Sequence, residues 1–357
     1  MKIAMSRIHV VLFTSLFVLS HPIRAEIVLV ADHIELSGPI KKSKNISAIA
    51  IVGDRLVIGS DETSFVQVLK ERANGYTVPR DEGKVPIILP NSAFANEDEV
   101  DIEAIAVENN TVYVIGSHAR VRPGVDERKK SYEDNRANLD EPPTKFEKSK
   151  GFGARNIIAR FHLDSNGVAR NLENSSLKEV LDTTYPFKLF RDIPSKENGI
   201  DIEGLAVRNG KLYAGFRGPV LRGNFVPILE FEFSKPVAHN RVLYVKLQGR
   251  GVRDMVAVKE GFLILAGPVG DGAQSYQIYL WNGEDVVCGK DHPDAGKNIV
   301  LLGEVPNVPA GAKPEGITVM NQTDSTYTVL MAFDGLENGG LRRYSVTRRG
   351  KVALTCE

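Results

Sequence analysis

Asp201-Ile-Glu-Gly-Leu-Ala-Val, followed after Arg208-Asn-Gly by Leu212-Tyr-Ala-Gly, is the stretch whose recurrence decides the fold. The same phrase returns as Asn45-Ile-Ser-Ala-Ile-Ala-Ile, Asp101-Ile-Glu-Ala-Ile-Ala-Val, Val252-Arg-Asp-Met-Val-Ala-Val and Lys313-Pro-Glu-Gly-Ile-Thr-Val. Each is followed by a second apolar run: Leu56-Val-Ile-Gly, Val112-Tyr-Val-Ile-Gly, Phe262-Leu-Ile-Leu-Ala and Thr328-Val-Leu-Met-Ala. A strand hairpin returning about every fifty residues marks a β-propeller, with one hairpin opening each blade. Turns such as Arg208-Asn-Gly and Glu108-Asn-Asn hold residues that tolerate positive φ in tight hairpins. The expected fold class is therefore all-β, a propeller of about five blades with four antiparallel strands each. The 100-residue interval between the phrases at Asp101 and Asp201 leaves room for a sixth, degenerate blade. Insertion is the preferred reading, because Arg120 to Arg155 is dense in charge and Pro and has no apolar period. That segment is expected to be a long mobile loop. Ser176-Leu-Lys-Glu reads as a capping box opening a short helix.

Working outward, residues 1–25 read as a signal peptide and 26–357 as one propeller domain with the charged insertion 120–155. Lys2 and Arg7 precede an apolar run, Ile8 to Leu19, and Ala25 offers a small residue for cleavage. The run is short for a membrane span. The expected location is periplasmic or secreted. The strand Glu26-Ile-Val-Leu-Val-Ala is expected to close the ring against the terminal blade, whose own last strand is placed at Val352–Cys356. The chain's two cysteines, Cys288 and Cys356, suit one disulfide in an oxidising compartment, with two unpaired buried thiols as the alternative. With 45 basic and 45 acidic residues, no global field draws in nucleic acid or an acidic membrane. A small-molecule ligand is the expected partner, and a protein partner stays open.

The repeat places Ser47, Glu103, Glu203, Asp254 and Glu315 at one equivalent position, at the start of each innermost strand. Converging carboxylates need a cation or basic side chains to neutralise them. Calcium, with its tolerant oxygen coordination, suits such a ring. Glu103, Glu203, Asp254 and Glu315 are therefore candidate metal ligands. The ends of the second strands add Asp61, His118, Arg217 and Asp334. His118 and Arg217 are candidate catalytic groups; Asp61, Asp334 and Arg253 are candidate ligand-binding groups. The alternative is a scaffold in which Arg217, Arg253 and Arg222 hold the acids in salt bridges. Loops that precede first strands and loops that follow second strands share a face, so both insertions, 120–155 and 182–200, should stand over the mouth these groups line. No Gly-x-Ser-x-Gly, Walker loop or His-Glu-x-x-His occurs.

Asp101-Ile-Glu-Ala, Gly116-Ser-His, Asp201-Ile-Glu-Gly-Leu-Ala, Gly215-Phe-Arg-Gly-Pro, Val252-Arg-Asp and Lys313-Pro-Glu-Gly resemble a family of bacterial proteins catalogued as a domain of unknown function. The likeness covers about residues 45–345 and implies a propeller without assigning a reaction. More loosely, Glu-Gly at the start of inner strands is similar to calcium-centred propeller hydrolases: the gluconolactonase and phosphotriesterase-like enzymes, and the propeller phytases. By that likeness Glu103, Glu203, Asp254 and Glu315 match metal-facing acids, and the implied activity is hydrolysis of a phosphoric ester or lactone.

Overall fold

The computed structural model describes residues 26–95, 99–121, 124–140, 153–270, 272, 274–348 and, for the backbone alone, 352–353. Five antiparallel sheets stand around a central channel. Their innermost strands are the five repeated phrases: Ile46–Val52, Ile102–Glu108, Asp201–Arg208, Gly251–Val258 and Lys313–Gln322. Each inner strand touches the next and the fifth touches the first, so the ring closes with five blades and no sixth. The second strands are Arg55–Ser60, Thr111–Gly116, Lys211–Gly218, Gly261–Gly267 and Thr326–Asp334. Asn109 and Asn110 (φ 50° and 62°), and Asn209 and Gly210 (φ 54° and 75°), supply the positive φ that the tight inner hairpins require.

The N-terminal strand closes the ring as expected. Ile27–Ala31 pairs with Arg342–Thr347 as the outer strand of blade five, Ile27 opposite Val346. The next segment, Glu35–Ser37, then pairs in parallel with Gly75–Thr77 of blade one. One stretch of chain therefore straps the last blade to the first and covers edges that would otherwise pair with other chains. The expected outer strand at Val352–Cys356 is corrected by this arrangement. With that edge of blade five already taken, Val352–Ala353 pairs instead with Ile299–Glu304 of blade four, Val300 opposite Ala353. Cys288 is disulfide-bonded. Cys356, like the expected signal peptide, lies outside the described residues.

The core fills the spaces between blades. Between blades three and four, for example, the rings of Tyr213, Phe262 and Trp281 pack at tilted angles with centroids 4.6 Å and 5.1 Å apart. Glycine lets neighbouring inner strands approach. A Cβ on Gly204 would lie 2.7 Å from Val252 Cγ1, and one on Gly251 would lie 2.0 Å from the carbonyl oxygen of Arg217. The second contact brings blade four against the strand that carries Arg217.

The insertion at 120–155 is not wholly a loop. Tyr132–Asp140 forms a helix with no buried residue. Ser131 Oγ caps it by accepting the Asp134 N–H at 3.0 Å and donating to Asp134 Oδ2 at 2.8 Å. A local side-chain cap thus makes helix where composition alone suggests none. The one expected helix is present at Lys178–Thr183, one residue later than the capping-box reading puts it. Ser176 Oγ accepts the Lys178 N–H at 3.1 Å, and the N-cap is Leu177.

Candidate functional site: the channel mouth and an adjoining cavity

Every inner strand carries a bulge at the mouth end, where pairing with the second strand slips by one residue. The bulged residues are Ser47, Glu103, Glu203, Arg253 and Glu315. A bulge leaves one residue out of the ladder and re-aims its side chain. Blade four therefore departs from the sequence register: Arg253, not Asp254, occupies the equivalent position. Asp254 pairs with Leu265, at the place held by Gly204 and Ala104 in blades three and two. It is 1% exposed, its Oδ1 accepts the Met255 N–H and its Oδ2 the Ile317 N–H, both at 2.7 Å. Burial pushes its carboxyl well up, while those backbone donors pull the other way. It sews blade four to blade five behind the mouth and does not face it.

Arg253 in turn lies between two carboxylates. Its Nε is 3.0 Å from Glu203 Oε2 and its Nη2 bonds Glu315 Oε1. Arg217 reaches Glu203 from the other side, Nη1 to Oε1 at 2.7 Å, and also bonds Asp201. Glu203 and Arg253 are each 3% exposed. The result is a buried chain, Asp201–Arg217–Glu203–Arg253–Glu315, across blades three, four and five. Burial raises the Glu203 carboxyl, against the pull of Arg217 and Arg253. Arg155, absent from the sequence candidates, holds Asp101 at 2.5 Å and Glu99 at 2.6 Å. Lys313 holds Asp334 at 3.0 Å.

Three of the four residues expected from the second-strand ends reach the mouth: Asp61, Arg217 and Asp334. With Glu103 and others they line a cavity of about 170 Å³ that holds seven carboxylates against four basic side chains. Excess negative charge in a partly closed space disfavours ionisation. Burial, then Asp101, Asp334 and Glu315, push Asp61 up to about 7. Burial also leads in raising Glu315 to about 7 and Glu103 well above the carboxylate range.

His118 does not face the mouth, which corrects the expectation for it. It is fully buried, its Nδ1–H donates to Gly116 O at 2.8 Å, and its Nε2 accepts the Leu177 N–H at 3.1 Å. Burial lowers its pKa to about 3, so the ring is a neutral staple between a strand end and the helix Lys178–Thr183. Arg191 completes that joint, donating to His118 O, to Asn156 Oδ1 at 2.9 Å and to Asp182 Oδ1 at 2.8 Å. Arg222 is exposed and joins no acid among the described residues.

These placements do not fit a calcium shared by Glu103, Glu203, Asp254 and Glu315. Asp254 points elsewhere, and arginines already bond Glu203 and Glu315. Among the described residues no three His, Cys, Asp or Glu side chains converge as metal ligands.

Beside the acidic mouth opens a larger cavity of about 590 Å³, between the loops of blades four and five. Lys196, Arg217, Arg253 and Lys313 line it, and among the described residues no carboxylate does. Lys196 comes from the second insertion, in the turn Ser195–Glu197, and Lys196, Arg217 and Lys313 border both cavities. The insertions do stand over the mouth, with Val121 and Arg155 from the first and Ser195 and Lys196 from the second lining the acidic cavity. Toward the far ends of the inner strands the channel is lined by apolar residues, Ile51, Val107, Val207, Ala257 and Val319.

Fold and site together define a five-bladed β-propeller with a charged, cavity-bearing channel mouth. The chain belongs to the family described as "Protein of unknown function (DUF3616)", which matches residues 45–345. No curated protein matches the chain. Among solved structures it is similar to glutaminyl cyclase of Myxococcus xanthus, at 10% identity and a TM-score of 0.44, over 93% of this chain and 100% of that one. It is also similar to a nidogen/laminin complex chain (9%, TM-score 0.37, over 81% and 76%) and to hydrazine synthase of Kuenenia stuttgartiensis (12%, 0.35, over 83% and 65%). Likeness at this level carries nothing about activity.

Proposed function

We propose that this propeller binds a small anionic ligand, phosphorylated or carboxylated, in the cavity beside its channel mouth. The observation that carries the reading is the one-sided lining among the described residues: four cations and no carboxylate around about 590 Å³, a volume within the usual range of small-ligand pockets. The acids that neutralise Arg217, Arg253 and Lys313 bind them from the mouth side, so the guanidinium and ammonium groups stay fixed and directed. Lys196 is exposed and has no acidic partner among the described residues. Fixed cations make a clamp that loses little entropy on binding. Export is part of the proposal, supported by the N-terminal apolar run and by the disulfide-bonded Cys288.

A scaffold role is the second reading. The buried chain from Asp201 to Glu315 favours it, because the same ion pairs lock three blades together. Calorimetric titration with inorganic phosphate, pyrophosphate and citrate separates the two. The binding reading expects saturable heat with at least one of these anions, weakening as salt rises. Silence with all three leaves the scaffold.

A further inference from the structure

The anionic head group accounts for one end of the cavity and leaves most of its volume to the rest of the ligand. That remainder meets Pro268 and Val269 from blade four, Val305, Val308 and Ala312 from the run into blade five, and the side chain of Tyr276. Pro268, Val305 and Ala312 are buried yet form wall. The Tyr276 ring is held in place by close packing, since a Cβ on Gly267 would lie 2.5 Å from it. Two polar groups on this side are already engaged. Ser275 Oγ donates to Glu304 at 2.8 Å and accepts from Arg250 at 3.0 Å. The Tyr276 carbonyl accepts the Val305 N–H at 2.9 Å. A polyhydroxylated body would leave the hydroxyls that face Pro268, Val305, Val308 and Ala312 without partners, at a cost for each. An apolar body would gain by leaving water.

Resting on the anion-binding reading, we propose that the ligand pairs its anionic head with a compact apolar or aromatic body, and that sugar phosphates and polyol phosphates are poor ligands. The cations take the head, and the wall of Pro268, Val305, Val308, Ala312 and Tyr276 takes the body.

The test is calorimetric titration of the full chain with phenyl phosphate, glycerol phosphate, inorganic phosphate and benzyl alcohol. Phenyl phosphate should bind about tenfold or more tighter than glycerol phosphate, because only its ring buries apolar surface. Benzyl alcohol alone should not bind measurably. In Val308→Ser the preference for phenyl phosphate should shrink, with inorganic phosphate bound as in wild type. That unchanged affinity also shows the variant is folded. Equal binding of phenyl and glycerol phosphate, or a Val308→Ser preference equal to wild type, overturns the apolar-body inference and leaves the anion reading standing. Failure of every phosphate to bind overturns the anion reading itself, as does benzyl alcohol binding as tightly as phenyl phosphate.

Discussion

Glu203→Gln is the sharpest perturbation of the mouth. The carboxylate is 3% exposed and is contacted from both sides, by Arg217 at 2.7 Å and Arg253 at 3.0 Å. Glutamine keeps the size and one oxygen but removes the charge. Two guanidiniums then remain, one fully buried, with a shared counter-ion lost. Removing one partner of a buried ion pair typically costs about 3–5 kcal/mol, mostly from the charge left uncompensated. Asp201 and Glu315 still hold the outer ends of the chain, so the lower half of that range is expected, roughly 3 kcal/mol. For a domain of this size that lowers the melting temperature by about 4–5 °C. The assay is thermal unfolding by circular dichroism of wild type and variant, each in calcium and in chelator. The drop should be the same in both, since Glu203 acts through arginines. A loss below about 1 kcal/mol would show that the pairs contribute no more than surface ones do. A wild-type melting point raised by calcium, with that rise absent in the variant, would restore the shared-cation ring and refute the ion-pair account.

Two further predictions concern protons. Asp61, pushed up to about 7, has a raised folded-state pKa. Its contribution to stability is present at pH below about 4 and is lost as pH rises through 7. Asp61→Asn should therefore stabilise the protein at pH 8 by roughly 2–3 kcal/mol after allowance for partial exposure, and the gain should vanish toward pH 4; denaturant unfolding at the two pH values checks this, and a pH-independent difference would count against it. His118 has the opposite sign. With its folded pKa near 3, its contribution is present above about 6.5 and is lost as pH falls toward 3. His118→Leu should lower stability at pH 7 by about 1–3 kcal/mol, because the Leu177 N–H loses its acceptor, yet show a shallower decline between pH 6.5 and 4; an unchanged slope would place the acid sensitivity elsewhere.

The ring of blades was legible because each inner hairpin combines a repeated apolar phrase with turn residues suited to positive φ. The mouth was legible only in part. Period-two alternation carries a register along a strand, but each inner strand has a bulge at the residue that matters, and a bulge absorbs one position. Val252-Arg-Asp-Met-Val-Ala-Val looks aligned with Asp201-Ile-Glu-Gly-Leu-Ala-Val at Asp254, and the alignment is off by one. Counting back from the second strand finds the slip: Ser47, Glu103 and Glu203 lie nine positions before Leu56, Val112 and Leu212, and nine before Phe262 is Arg253. His118 was misplaced for a related reason. Its φ of 53° turns the chain after Gly116-Ser117, so strand alternation no longer says where the ring points. The larger cavity left no local signal, because Lys196, residues 268–270 and 274–276, and the segment 305–313 meet only once the blades are assembled.

The central claim is that the cation-lined cavity binds an anion, and Lys196 tests it most directly. It is exposed, borders both cavities and has no acidic partner among the described residues, so its replacement should leave the melting temperature unchanged. Pyrophosphate titrated calorimetrically into wild type and Lys196→Glu, at equal ionic strength, is the measurement. Reversing one charge of the clamp should weaken binding on the order of tenfold. Equal affinity in the two proteins, or no binding to either, would contradict the claim.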